Sequence, residues 1–140
     1  MRLYAVYDTN VLVSSLLTRH PDAATVQVVD AILNEDIIPL YNREILEEYG
    51  DVLRRPRFHF SETRIRTVLN MICQFGIEVY PSPVEETLPD ADDLVFYEIV
   101  MEKREDGAYL ITGNLRHYPR REYIVTPAEM AAILRRKAQR

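Results

Sequence analysis

The stretch LYAVYDTNVLV, residues 3–13, reads as a short apolar β-strand that ends in Asp8, followed by Thr9 and Asn10 and then by an apolar run suited to start a helix. A strand passing straight into a helix is the unit of an open α/β sheet. Such sheets place their chemistry outside the carboxyl ends of their strands, where helix N-termini and loops converge. Asp8 falls at that edge. Its plainer role is to cap the following helix, because Asp and Asn favour that position. Whether other carboxylates reach the same edge separates the two roles.

Outward from this stretch, the pattern continues as helix over Asn10 to Leu17, breaks around Arg19, His20 and Pro21, and resumes from about Asp22 to Leu33. Ile37 to Tyr41 is a compact apolar run read as a second strand, with Pro39 suiting an edge position or the strand's start. Asn42 is placed to cap a helix over NREILEEYGDVL that stops near Arg55, before Pro56. Ser61 begins another, with Ile65, Val68, Leu69 and Ile72 at helical spacing up to Gly76. Ile77 to Tyr80 is a short strand, and prolines at 81, 83 and 89 make a stiff loop leading to PDADD. From Asp92 to about Lys103 the pattern is helical and apolar on nearly all sides, as in a helix buried by its neighbours. Ala108 to Thr112 and Glu122 to Val125 are the last strands. Thr126, Pro127 and Glu129 supply a cap, a first-turn proline and the glutamate of a capping box for the terminal helix. The alternation predicts an α/β fold, a mostly parallel sheet flanked by helices on both faces.

The 140 residues suit one domain, 1–140. With 47% apolar and 28% charged residues, the composition excludes a disordered tail, and no apolar run approaches the length a bilayer requires. A polar residue at position 8 argues against a signal-peptide core, so a cytoplasmic protein is expected. The single Cys73, in the apolar run LNMICQF, excludes an intrachain disulfide framework and a cysteine-rich zinc site, and is expected to pack in the core. His20, His59 and His117 sit in separate loops without metal-ligand spacing, which suggests surface or packing roles. The net charge of −5 argues against bulk attraction to nucleic acid. Its distribution is uneven: seven of the 22 acidic residues fall between Glu85 and Glu102. Basic residues gather at Arg54, Arg55 and Arg57, at Arg116, Arg120 and Arg121, and at Arg135, Arg136, Lys137 and Arg140. An acidic spot among basic surroundings suits a metal and a phosphate chain together, and is also what an ordinary solvated surface looks like.

Polar side chains recur at comparable places: Asp8 after the first strand, Glu48 in the second helix, counting 10–33 as one interrupted helix, Asp90 and Asp93 opening the apolar helix, and Asn114 after a late strand. On a wheel of 100° per residue, Ile45, Leu46, Tyr49, Val52 and Leu53 define the packed face of the helix that carries Glu47 and Glu48. Glu48 lies roughly 100° from its centre and Glu47 roughly 160°, so Glu48 borders the packed side and Glu47 points to solvent. D-x-x-D at a helix start is either a cap or a pair of inward ligands. If inward, carboxylates within ~4 Å repel by about 4 kcal/mol per pair at an effective dielectric near 20, which only protons or a cation offset. Oxygen ligands with no cysteine and no inward histidine select Mg²⁺ or Mn²⁺ over zinc. Such an ion would activate water and neutralise charge on a phosphate oxygen, chemistry suited to phosphodiester hydrolysis. Asp8 and Asp93 would bind it, with Glu48 or Asp90 completing the shell or orienting the water. Thr9, Asn10 and Thr112 would hold loops and phosphates, and Asn114 would offer an amide without charge. Arg116, His117, Arg120 and Arg121 follow the site loop and are candidates to meet a phosphate. No G-x-G-x-x-G, G-x-x-x-x-G-K-[ST] or G-x-S-x-G is present, which removes the usual nucleotide and serine-hydrolase readings.

DTNVLVS at 8–14, ILEEY at 45–49 with VLRRPRF at 52–58, PDADD at 89–93, LITGN at 110–114 and IVTPAE at 124–129 appear in an order and spacing that resemble the PIN domain family. Within it, the chain is most similar to toxin components of toxin-antitoxin systems, over about Leu3 to Leu134. The resemblance implies a PIN-like fold and a Mg²⁺- or Mn²⁺-dependent endoribonuclease that leaves 5′-phosphate and 3′-hydroxyl ends. It also implies a homodimer neutralised by a cognate antitoxin protein. Position by position it makes Asp8, Glu48 and Asp93 the catalytic acidic residues, with Asp90 as neighbour. The fourth position, often Asp in the family, is Asn114 here, which bears on a second metal site. The competing reading is a non-catalytic PIN-like module that binds RNA or protein, with a vestigial acidic pocket. A receiver-like domain would need paired acidic residues after the first strand and a lysine after a late one, where this chain has Tyr7-Asp8-Thr9 and Asn114-Leu115-Arg116.

Overall fold

The computed structural model describes residues 2–139; Met1 and Arg140, and with Arg140 the end of the last basic group, lie outside them. Five strands form one sheet: β1 (Leu3–Tyr7), β2 (Ile37–Tyr41), β3 (Ile77–Glu78), β4 (Tyr109–Ile111) and β5 (Ile124–Val125). Their order is β3-β2-β1-β4-β5 and all neighbouring pairs are parallel. Six α-helices accompany them: α1 (Thr9–Leu17), α2 (Ala24–Leu33), α3 (Arg43–Leu53), α4 (Glu62–Phe75), α5 (Leu94–Glu102) and α6 (Pro127–Ala138). Successive strand residues point to opposite faces, yet Ala5, Val6 and Tyr7 are all buried, so helices cover both sides of the central strand.

Local chemistry sets most boundaries. Asn42, Ser61 and Thr126 each accept a hydrogen bond from a backbone N–H three residues on, and Thr126 with Glu129 completes a reciprocal capping box. α5 has Val95, Phe96, Tyr97, Ile99 and Val100 buried and packs on β1, β2 and β4. Burial nearly all round suits a helix enclosed by neighbours.

Two expectations need correcting. Pro39 sits in β2, which is not an edge strand, since β2 lies between β1 and β3. The proline is tolerated because pairing with β3 begins only at Leu40, so no ladder partner waits opposite its missing N–H. Its carbonyl instead approaches Gly76, where an added Cβ would come within 2.5 Å of it. Cys73, expected in the core, is exposed. Ile72 beside it is buried, and the next residue of a helix lies about 100° further round, off the apolar stripe.

The topology also locates the site. From β1 the chain builds β2 and β3 on one side, then returns to the other side for β4 and β5. This switch leaves a crevice outside the carboxyl ends of β1 and β4, where an open α/β sheet binds its ligands. Asp8 directly follows β1 and Thr112 directly follows β4.

Candidate metal centre

Asp8 occupies the position that caps α1, yet its side chain makes no capping bond. Its Oδ2 instead accepts from two hydroxyls, Thr112 Oγ1 and Tyr118 Oη, each at 2.9 Å. Asp8 is only 5% exposed, Tyr118 5% and Thr112 fully buried. Burial pushes the Asp8 carboxyl up from its ordinary range, and the two hydroxyls oppose that rise by stabilising the anion. Burial also raises the Tyr118 phenol, as do the charges of Asp8 and Asp93, so it stays protonated and donates. Thr112 Oγ1 in turn accepts the Asn114 N–H at 2.9 Å, which fixes the direction of its own proton toward Asp8.

Glu48 reaches the same edge from α3. Thr9 Oγ1 donates to Glu48 Oε2, while Glu47 is 70% exposed and pairs with Arg43 on the outer face. The helical wheel thus separates the two glutamates as expected. Burial raises the Glu48 carboxyl first, and the charges of Asp8 and Asp93 raise it further. The packing that holds α3 against the first strand includes Tyr49, whose buried hydroxyl donates to the Tyr7 carbonyl. Tyr7 likewise donates its hydroxyl to the Val28 carbonyl at 2.6 Å.

The D-x-x-D ambiguity resolves into two different roles. Asp90 caps the 3-10 turn Ala91–Asp93 through Oδ1, which accepts the Asp92 N–H at 3.0 Å. Asp93 opens α5 without any capping bond from its side chain. Burial and then the charge of Asp8 push the Asp93 carboxyl up to about 6, with His117 partly opposing them. His117 Nδ1 lies 2.9 Å from Asp93 Oδ2. The expectation of no inward histidine is therefore corrected: a 3-10 turn, Leu115–His117, directs the imidazole back toward the start of α5. Asp90, Asp93 and His117 each offer an atom, all within 4.8 Å of one another, to which a cation could bind.

The other residues singled out in the sequence divide by place. Asn10 Oδ1 accepts the Gly113 N–H at 2.9 Å, tying the start of α1 to the loop after β4. A side chain at position 113 would press on that oxygen, with Cβ at 3.1 Å. Thr9, Asn10 and Thr112 thus orient carboxylates and loops of the site. Arg116 and Arg120 are exposed on the loop that follows, and Arg121 turns toward Glu86, at 3.9 Å. Tyr118 was not anticipated. A lone tyrosine in LRHYPRR carries no periodicity, and only its place one residue after His117 hints at a shared site.

A family model for the PIN domain matches residues 4–116. This chain belongs to the PIN domain family. PIN domains are in general nucleases that use divalent metals, and a like-charged carboxylate cluster at the sheet's switch point accords with that. Among solved structures, PAE2754 from Pyrobaculum aerophilum is similar in fold, with a TM-score of 0.57 and 16% identity. The similarity covers 96% of this chain and 90% of that one. No curated protein matches the chain. None of the described helices is long and apolar enough to cross a membrane.

The residues fit a divalent cation. Asp8, Glu48 and Asp93 come from three separate elements and each carries a raised pKa, to which the charge of at least one neighbour contributes for Glu48 and Asp93. Holding such groups ionised together is unfavourable without a positive partner, and Asp90, Asp93 and His117 together offer such a partner two oxygen donors and one nitrogen.

Proposed function

We propose that this PIN domain is a Mg²⁺- or Mn²⁺-dependent endoribonuclease that hydrolyses phosphodiester bonds of RNA inside the cell. What supports this reading is that the charges of Asp8 and Asp93 bear on Glu48 and that of Asp8 on Asp93, while Asp90, Asp93 and His117 offer ligand atoms within 4.8 Å of one another. Asp8 and Asp93 would hold the cation, with Glu48 or Asp90 completing its surroundings. Bound there, the ion supplies a positive charge that lowers the pKa of water and offsets charge growing on a phosphate oxygen. The chain's own contribution is orientation. Thr112 and Tyr118 hold Asp8 Oδ2 and so fix the direction of the carboxylate. Thr9 sets the Glu48 carboxylate, and His117 sets Asp93. Arg116 and Arg120 provide positive charge and hydrogen-bond donors for the flanking backbone.

The same reading extends to a toxin component of a toxin-antitoxin pair, a homodimer held inactive by a small cognate protein, as the sequence resemblance implies. Asn114 at the fourth acidic position supports the rival reading, a non-catalytic module that binds RNA or protein. Its missing charge weakens a second cation site without touching the first. Incubating the protein with single-stranded RNA in Mn²⁺ separates the two. Cutting that EDTA abolishes, and that Asp8→Asn and Asp93→Asn lose, supports the enzyme; equal cutting by wild type and variants identifies a contaminant and overturns it.

A further inference from the structure

The segment Leu115–Arg121 has two sides. On one, His117 and Tyr118 reach Asp93 and Asp8. On the other it walls an open groove of about 630 Å³ that includes Leu115, Arg116, Tyr118, Pro119 and Arg120. Tyr118 belongs to both, its hydroxyl on Asp8 and the residue itself lining the groove. The groove therefore begins one side chain away from the carboxylate cluster.

We infer that this groove holds the nucleotide next to the scissile phosphate of an unpaired RNA strand, an inference that rests on the ribonuclease reading above. A strand brought to the cluster passes from three carboxylates that repel its phosphates to a wall carrying three guanidinium groups. Arg116 and Arg120 are exposed there, and Arg121, exposed and lining the same groove, also lies 3.9 Å from Glu86. Charge thus returns in the strand's favour at the first step beyond the site. Leu115, 41% exposed, and Pro119 add apolar surface on which a base can lie. Glu122 and Glu129 line the same groove and repel phosphate from their part of it, while accepting N–H groups of a base. Glu129 Oε1 is already taken by the Thr126 N–H at 2.9 Å, which holds that carboxylate in place. The backbone then lies on the arginines and the base on the opposite wall. A base can enter only if it is splayed out of any helix, which selects single strands over duplex.

Two variants test this, Arg116→Ala/Arg120→Ala and Leu115→Trp, both at exposed positions. Binding of a fluorescein-labelled single-stranded RNA is followed by anisotropy in EDTA, and its cleavage in Mn²⁺ by initial rates. The double variant is expected to bind roughly tenfold more weakly and to lose about 1.4 from the slope of log affinity on log salt, about 0.7 per phosphate contact. In cleavage, KM rises and kcat stays near the wild-type value. Leu115→Trp fills the groove and raises KM without changing charge, and Arg135→Ala/Arg136→Ala on α6 serves as a charge-matched control with no effect. Wild-type affinity and KM in both groove variants overturn the inference, as does equal binding of a duplex of the same sequence. A wild-type protein that binds the strand in this groove and never cuts it sinks the ribonuclease reading instead, so the two failures are distinguishable.

Discussion

Replacing Asp93 with Asn is expected to stabilise the metal-free protein near neutral pH while abolishing its response to Mn²⁺. The folded Asp93 carboxyl is raised from 3.8 to about 6, chiefly by burial and then by the charge of Asp8. Raising a carboxyl from 3.8 to about 6 is worth about 3 kcal/mol in a fully insulated site. The cluster borders solvent, where screening weakens such terms, so about 1–2 kcal/mol is the working figure. A raised carboxyl means that the folded state holds its proton more tightly than the unfolded chain. The group's stabilising contribution is complete below the unfolded pKa near 4 and is lost as pH rises through about 6. Above that, the ionised aspartate opposes folding. Asp93→Asn removes the penalty, together with the attraction to His117 that partly offsets it, and should raise Tm at pH 7.5 without metal by roughly 3–8 °C. At pH 4 the gain should vanish. Calorimetry or CD melts at both pH values, with and without saturating Mn²⁺, provide the measurement. A variant less stable than wild type at pH 7.5, or one that Mn²⁺ stabilises as much as wild type, refutes the reasoning.

Three further outcomes follow from named contacts. Tyr118→Phe removes one of the two hydroxyls on a buried carboxylate, a hydrogen bond to a charged group worth roughly 1.5–3 kcal/mol; Mn²⁺ affinity measured by titration calorimetry should fall about tenfold or more. Unchanged affinity would mean that Thr112 alone positions Asp8. Glu48→Gln should lower the rate of RNA cleavage at least tenfold, and Glu47→Gln should leave it within twofold, because only Glu48 faces the cluster; comparable losses would contradict the helical-face assignment. Gly76→Ala should destabilise the fold by roughly 2–4 kcal/mol in urea melts, since its Cβ would lie 2.4 Å from the Ile72 carbonyl and 2.5 Å from that of Pro39. A loss under 0.5 kcal/mol would show that the β2 and α4 backbones separate freely.

Much of the architecture was legible residue by residue. Ile37–Tyr41 is read as a strand from its apolar run and forms one over the same residues. Asn42, Ser61 and Thr126 are read as caps and act as caps, because a cap bond spans three residues and needs nothing from the rest of the chain. Glu48 is separable from Glu47 for the same reason, a fixed angle per residue within one helix. Cys73 marks the limit of that logic, since membership of an apolar run does not say which side of α4 it occupies.

The carboxylate cluster was visible as a set of residue types at strand ends and helix starts. Its wiring was not. Tyr118 meets Asp8 across 110 residues of sequence, Thr112 across 104, Thr9 meets Glu48 across 39, and His117 meets Asp93 across 24. Amphipathic period and capping preference are properties of a few neighbouring residues, so the chain alone determined which segments form helices and strands and, at Asn42, Ser61 and Thr126, where a helix begins. Which oxygen of Asp8 is held, which aspartate of PDADD caps and which stays uncapped, and that a histidine turns inward are consequences of β1 lying beside β4. Only the assembled sheet brings those distant side chains within hydrogen-bond reach.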